Sequence, residues 1–406
     1  MKKNLNLTGI SIGLSLLIFI GCSPKQSKKD LITDNIENAI AQNTLQTDLI
    51  EKNGTFINPR TIDEKGNIVY VPIDDWTSGF FPGSMWYMYE LTNDNKWKNL
   101  AEKYTETLDS IQYLTWHHDV GFMIGSSYLN GYLQGKKEYK DVIIQTAKSL
   151  STRFRPVAGV IQSWNVDKGW QSERGWKCPV IIDNMMNLEL LFEATVLSGD
   201  STFYNIAVSH ADKTQENHFR TDNSCYHVVD YDPETGDVLK KQTAQGYADE
   251  SSWARGQAWA LYGYTVCYRY THNPKYLEQA QKVYNFIFTN KNLPKDLIPY
   301  WDYDALNIPN VPRDASAAAV TASALYEMST YLPNQKYKET ADEIVESLST
   351  PAYRAEVGTN GNFILMHSVG SIPHGQEIDV PLNYADYYFL ESLIRKRNLE
   401  NGETIR

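Results

Sequence analysis

A helix-start pattern that returns five times constrains this chain's fold more than any other feature: a turn signal, an aromatic residue, then a small or branched apolar residue three or four positions on. It reads DNKWKNLA around Trp97, GKKEYKDVI around Tyr139, DSTFYNIA around Tyr204, NPKYLEQA around Tyr276 and NQKYKETA around Tyr337. Asp, Asn, Ser and Pro ahead of the starts suit N-caps and first turns, and the spacing puts both apolar residues on one helical face. The five aromatics stand 42, 65, 72 and 61 residues apart. More apolar helical stretches precede them at Met85–Tyr89, Asn184–Val196, Ala254–Tyr268 and Ala315–Met328. An apolar helix followed by an amphipathic one, repeated about every 60 residues, describes helical hairpins that share a core. Six such hairpins fit between Leu31 and Asn398. Alternating strand patterns are confined to Asn67–Pro72 and Cys225–Asp230, so the expected fold class is all-α, and periodicity leaves open whether the hairpins close into a ring or run on as a solenoid.

The hairpins need a large core, and a chain of 406 residues with 42% hydrophobic and 21% charged residues supplies one. The net charge of −11 argues against nucleic acid as a partner, because phosphate neutralisation requires a basic surface. Aromatic residues make up 12% of the chain, which suits stacking on sugar faces and filling a core equally well.

The four cysteines, Cys22, Cys178, Cys225 and Cys267, have neither zinc-site pairing nor the spacing of a disulfide framework. Cys22 stands apart. It follows Lys2-Lys3, an apolar run from Ile10 to Ile20 and Gly21, the layout of a secretory signal with a small residue before the cut. A Cys in that place resembles a bacterial lipoprotein box, and the run is short for a transmembrane helix. The expected organisation is a signal peptide over residues 1–22 with lipidation at Cys22, a polar tether over 23–30 (SPKQSKKD), and one folded unit over 31–406. Such a protein would sit on the periplasmic side of a bacterial envelope and meet the membrane only through its lipid. The other three cysteines are expected to be buried thiols.

Four segments carry candidate chemistry: DDWTSGFFPGSMW from Asp74, HHDVGF from His117, IIDNMMNL from Ile181, and QGYADESSWARGQAW from Gln245. Read alone, Asp183 at a helix start is first an N-cap. Asp119 is a loop cap or a metal ligand, although the adjacent histidines lack the helical spacing of a zinc site. Arg255 in an apolar helix either pairs with Asp249 or Glu250 or presents a planar fork to a carboxylate.

Taken together, HDVGF at His118–Phe122, IDNMMNL at Ile182–Leu188 and SWARGQAW at Ser252–Trp259 resemble glycoside hydrolase family 88, the unsaturated glucuronyl hydrolases, over about Asp74 to Asn398. The resemblance implies a single (α/α)6 barrel and a substrate: the Δ4,5-unsaturated uronic acid that polysaccharide lyases leave at the non-reducing end of glycosaminoglycan fragments. It implies Asp183 as general acid/base and Asp119 as the second carboxylate. His118, His227, Gln245, Arg255 and Trp259 are implied to line the sugar site, Trp76 and Trp170 to wall it, and the loop His367–Gly375, with Ser368 and Ser371, to face the aglycone. Some members carry a Lys in that loop that suits sulfated sugars, whereas here no Lys or Arg occurs between Ala355 and Ile394. No cofactor and no metal are expected. Two alternatives stand beside this reading: an unsaturated rhamnogalacturonyl hydrolase acting on pectin fragments, and a helical lipoprotein that only binds oligosaccharides.

Overall fold

The computed structural model describes Met1 and residues 30–54, 58–332 and 336–405. The expected signal segment and Cys22 lie outside the described residues, as does the tether apart from Asp30. The described chain opens with α1 (Leu31–Asn53) and the ribbon β1–β2 (Asn58–Ile62, Ile68–Val71), then enters a first pair, α2 (Phe80–Thr92) and α3 (Asn95–Glu106). The second pair is a π-helical segment, Gly121–Leu129, running into α4 (Asn130–Leu133), and then α5 (Lys140–Ser151). The ribbon β3–β4 (Phe154–Arg155, Val160–Ile161), the single turn α6 (Trp170–Glu173) and β5 (Cys178–Ile181) lead to the third. That pair is a 3-10 segment, Ile182–Asn187, continued by α7 (Leu188–Ser198), and α8 (Ser201–Asn217). Strands β6 (Val228–Tyr231) and β7 (Val238–Gln242) join β5 in an antiparallel sheet of order β5-β6-β7. Two more pairs follow, α9 (Ala254–Thr271) with α10 (Pro274–Thr289) and α11 (Ala315–Tyr331) with α12 (Lys336–Leu348). The ribbon β8–β9 (Ser368–Ser371, Gln376–Val380) then precedes α13 (Asn383–Glu400).

The five aromatic starts open α3, α5, α8, α10 and α12. Side chains of Asp94, Asp200 and Asn273 accept from the backbone N–H two residues on, and Pro274 occupies the first turn of α10. Each of these helices buries one stripe, such as Trp97, Ala101 and Tyr104 on α3. Their apolar partners are buried nearly all round: every residue from Ala254 to Cys267 on α9 and from Ala315 to Met328 on α11. A helix buried on all faces lies inside the protein, not at its surface. Along the chain, α2 packs on the π-helical segment, that segment on α7, α7 on α9, α9 on α11, α11 on α13, and α13 on α2. Helix α1 lies outside them, held by Lys103 to Glu51 at 2.6 Å on one side and by Asn35 to Ser349 at 2.8 Å on the other. One apolar cluster runs through the molecule from Ala39 to Ile394. Close approach is bought with glycine at Gly263 on α9, where a Cβ would stand 2.5 Å from that of Met185.

The expected helical class holds in that the protein is mostly helical, and it carries four small antiparallel sheets besides. Of the two anticipated strand stretches, Asn67–Pro72 contains β2 and Cys225–Asp230 overlaps β6 over residues 228–230. The others escape a search for alternation because they are ribbons of two to five residues, and β5 is buried on both faces and so reads as an apolar run. Cys178, Cys225 and Cys267 are buried free thiols, as expected. Among the described residues no helix is long and apolar enough to cross a membrane.

Candidate active site

The candidate residues come from the segments that lead into the buried helices. Asp119 precedes the π-helical segment, Asp183 sits in the 3-10 segment ahead of α7, His227 precedes β6, and Arg255 and Trp259 lie in the first turns of α9. Asp183 is not a helix cap, because neither the 3-10 segment nor α7 has a side-chain cap and its Oδ2 is buried without a hydrogen-bond partner. Burial is the main cause that raises its carboxyl to about 7; the charge of Arg255 opposes the rise and that of Asp119 adds to it. The Trp259 indole opposes it too, although its Nε1 makes no hydrogen bond of normal geometry.

Two neutral histidines face the two carboxylates, the proton of His227 placed by backbone N–H groups and that of His118 by a side-chain amide. His227 Nδ1 accepts from the N–H groups of Ala244 (3.0 Å) and Gln245 (3.2 Å), so the proton is on Nε2, 3.6 Å from Asp183 Oδ2. Burial and the charge of Arg255 keep this ring uncharged. His118 works in the same way. Asn187 Oδ1 accepts from Phe122 N–H at 3.0 Å, which orients the amide so that Nδ2 points at His118 Nδ1, 3.3 Å away. The remaining His118 nitrogen, Nε2, lies 3.2 Å from Asp119 Oδ1. Burial brings His118 down to about 4. Burial alone would raise Asp119, but His118, His117 and Arg153 outweigh it and hold that carboxyl below its ordinary value. Gly121 makes the contact possible, since a Cβ there would stand 2.4 Å from Asn187 Oδ1.

Arg255 pairs with neither Asp249 nor Glu250. Fully buried, it donates through Nη1 to Asp314 Oδ2 (3.0 Å) and to the Val369 carbonyl, and through Nη2 to the Gly370 carbonyl (2.8 Å). The end of the fork therefore clamps β8, while Nε, on its side edge, has no partner. Ser368 Oγ on the same strand and Tyr384 Oη, whose ring lies 5.4 Å from the Arg255 guanidinium, are buried and unpartnered as well. Trp76 packs against Tyr384 at 5.0 Å and Phe122 at 5.4 Å. Trp259 is fully buried and offers the site its indole N–H, not a ring face. The backbone of Gln245 meets His227, and its side chain is half-buried.

Sequence reasoning missed most of one wall. Trp164 and Trp176 stack at 5.8 Å, Trp170 stands edge-on to both, and Trp164 reaches His227 at 6.1 Å. Trp170 also meets His374 at 5.1 Å, and His374 Nδ1 lies 2.7 Å from Ser371 Oγ. Trp253 stands between His227 (4.6 Å) and the Arg255 guanidinium (4.6 Å). A Trp every six residues from 164 to 176, outside any helical pattern, was the available signal. No trio of His, Cys, Asp or Glu among the described residues is placed to hold a metal.

Besides Asp183 Oδ2 itself, these segments carry buried polar atoms without a hydrogen-bond partner on His118 (Nε2), His227 (Nε2), Trp253 (Nε1), Arg255 (Nε), Trp259 (Nε1), Ser368 (Oγ) and Tyr384 (Oη). Folded proteins satisfy nearly all such atoms, so a cluster of them describes a pocket for a polar ligand. The model of the family described as Glycosyl Hydrolase Family 88 matches residues 53–405. The chain belongs to this family. Over 403 residues it is 46% identical to an unsaturated glucuronyl hydrolase of Formosa agariphila, covering 98% of this chain and 99% of that one. A crystal structure of an unsaturated glucuronyl hydrolase specific for heparin superposes with a TM-score of 0.87 at 43% identity, covering 92% of this chain and 99% of that one. A Streptococcus agalactiae unsaturated glucuronyl hydrolase mutant complexed with dGlcA-GalNAc6S gives 0.75 at 30% identity, covering 91% and 93%. The family and these relatives favour the unsaturated glucuronyl hydrolase expectation over its two alternatives.

Proposed function

We propose that this family 88 enzyme removes Δ4,5-unsaturated glucuronic acid from the non-reducing end of lyase-generated glycosaminoglycan oligosaccharides by hydrating the C4=C5 enol ether. The observation that carries the proposal is a carboxyl raised to about 7 among unpartnered donors, beside a second carboxyl held ionised. Asp183 gives its proton to C4 while positive charge develops across C5 and the ring oxygen. Water then adds at C5, and the Asp183 carboxylate takes a proton from it. The hemiketal so formed opens and releases the aglycone. Ordinary glycosidases place two carboxyls about the scissile bond, one at the leaving oxygen and one at the anomeric face. Here a single carboxyl both gives and takes the proton, and Asp119 raises its proton affinity and receives a sugar hydroxyl. The names of the Formosa and Streptococcus relatives support the substrate class. Incubation with a lyase digest tests the reaction: the ultraviolet absorbance of the conjugated double bond should disappear, and persistence of that absorbance leaves a protein that only binds.

The same reading takes the fold as one closed (α/α)6 barrel over residues 31–406, supported by the order in which the buried helices pack, from α2 round to α13 and back. It also places the enzyme on a lipid at Cys22 on the periplasmic face of the envelope, supported by the Lys2-Lys3, apolar and Gly21-Cys22 succession. Cys22→Ser should abolish incorporation of labelled palmitate and move the protein from the membrane fraction to the soluble fraction. Unchanged fractionation would refute the anchor.

The free edge of Arg255, Nε with the adjacent Nη2, is the geometry that receives a carboxylate side-on. Arg255→Lys keeps the charge and loses the fork. In an Asp183→Asn background its affinity for an unsaturated disaccharide should fall about tenfold or more, measured by calorimetry. Equal affinities would reduce Arg255 to the clamp on Val369 and Gly370.

A further inference from the structure

The Arg174 guanidinium is a cation without an acid. Among the described residues it has neither an ion pair nor a side-chain hydrogen bond; its carbon instead stands 5.3 Å from the centre of the Trp176 ring and 5.9 Å from that of Trp170. The turn that carries it is fixed. Lys240 Nζ on β7 donates to the Arg174 carbonyl at 2.9 Å and to the Gly175 carbonyl at 3.2 Å, and Trp176 Nε1 donates to Gln242 at 2.8 Å. The tryptophan wall under Arg174 joins the two ends of the site: Trp164 meets His227, the neighbour of Asp183, and Trp170 meets His374, the partner of Ser371 on the hairpin expected to face the aglycone. The charge of Arg174 reaches both histidines. Arg174 is half-buried and its guanidinium lies within cation–π range of two rings, so an anion brought to it gains more than at an open surface. The β8–β9 hairpin opposite supplies no cation, since Lys and Arg are absent from Ala355 to Ile394.

We infer that Arg174 is the anion receptor of the aglycone side, binding a sulfate group on the amino sugar next to the unsaturated uronate and making sulfated disaccharides the preferred substrates. The inference rests on the reaction proposed above. A planar guanidinium suits the oxygens of a sulfate as it suits those of a phosphate, and the tryptophan wall holds the sugar ring that carries it. Because the receptor comes from the α6–β5 turn and not from the β8–β9 hairpin, sulfate recognition in this chain needs no basic residue in that hairpin.

The test uses unsaturated chondroitin and heparin disaccharides, each with and without sulfate on the amino sugar, against wild type, Arg174→Gln and Arg174→Lys. Arg174→Gln should lower kcat/KM on the sulfated member of each pair about tenfold, through KM, and change the unsulfated member less than about twofold. Arg174→Lys should recover part of the loss, and the wild-type preference for sulfate should shrink as salt rises. Equal losses on both members, or no change on either, would overturn the inference. Binding of the same disaccharides to the Asp183→Asn protein, with and without Arg174→Gln, provides an arm that needs no turnover. If wild type hydrolyses none of the four, the reaction proposed above falls, and the binding arm alone still decides whether Arg174 selects sulfate.

Discussion

Asp183→Asn should abolish turnover, by at least the roughly 10²–10⁴-fold that a general acid/base contributes, while leaving the fold and disaccharide binding intact. The amide has the shape of the acid and no proton to deliver. Because Asp183 both gives and takes the proton, no second carboxyl stands in for it. The same substitution should also stabilise the protein, in a pH-dependent way. Asp183 has a folded value of about 7 against 3.8 for an ordinary Asp, so its ionisation opposes folding. That contribution is absent below about pH 4, builds up between about pH 4 and 7, stays constant above that, and is removed by the amide. A shift of about three pH units corresponds to an upper bound of about 4 kcal/mol. Thermal unfolding should therefore show a higher midpoint for Asp183→Asn at pH 8 and little difference at pH 4. A variant keeping more than a tenth of wild-type activity would rule out Asp183 as the acid.

Asp119→Asn should cut the rate and move the alkaline limb of the pH profile to lower pH. The working form of Asp183 is the protonated one, so kcat/KM should hold on the acid side and fall as pH rises through about 7. Asp119, ionised across that range, raises the Asp183 carboxyl by like-charge repulsion, and its removal lowers it. The displacement should be smaller than the whole shift of Asp183, because burial, the larger cause, stays in place. His118 carries no charge until pH falls to about 4, so it adds no limb near neutrality. A rate profile for Asp119→Asn whose alkaline limb coincides with that of wild type would show that the two carboxyls are not coupled.

Much of the architecture was legible in the chain. Helix signals are local: an N-cap, an aromatic and a small residue one turn on fall within eight residues, so α3, α5, α8, α10 and α12 were found from their starts. The apolar stretches ahead of them mark helices buried on every face, because no other environment accepts a helix such as α11. The short ribbons were not legible. Two to five residues hold too little pattern, and β5 pairs with β6 across about 50 residues of chain.

The site divides along the same line. Local motifs singled out Asp119, Asp183 and Arg255, and resemblance supplied their roles. What the sequence by itself determined is which residues stand at the mouths of the buried helices, since helix boundaries are written in neighbouring side chains. Only the tertiary structure decided what those residues do to one another. Asp183 is raised by enclosure, His227 and His118 hold their protons on Nε2 because distant backbone and amide groups take Nδ1, and Arg255 divides its donors between Asp314, β8 and an empty edge. Burial and the position of a proton depend on atoms tens to hundreds of residues away along the chain, and no local spacing encodes them.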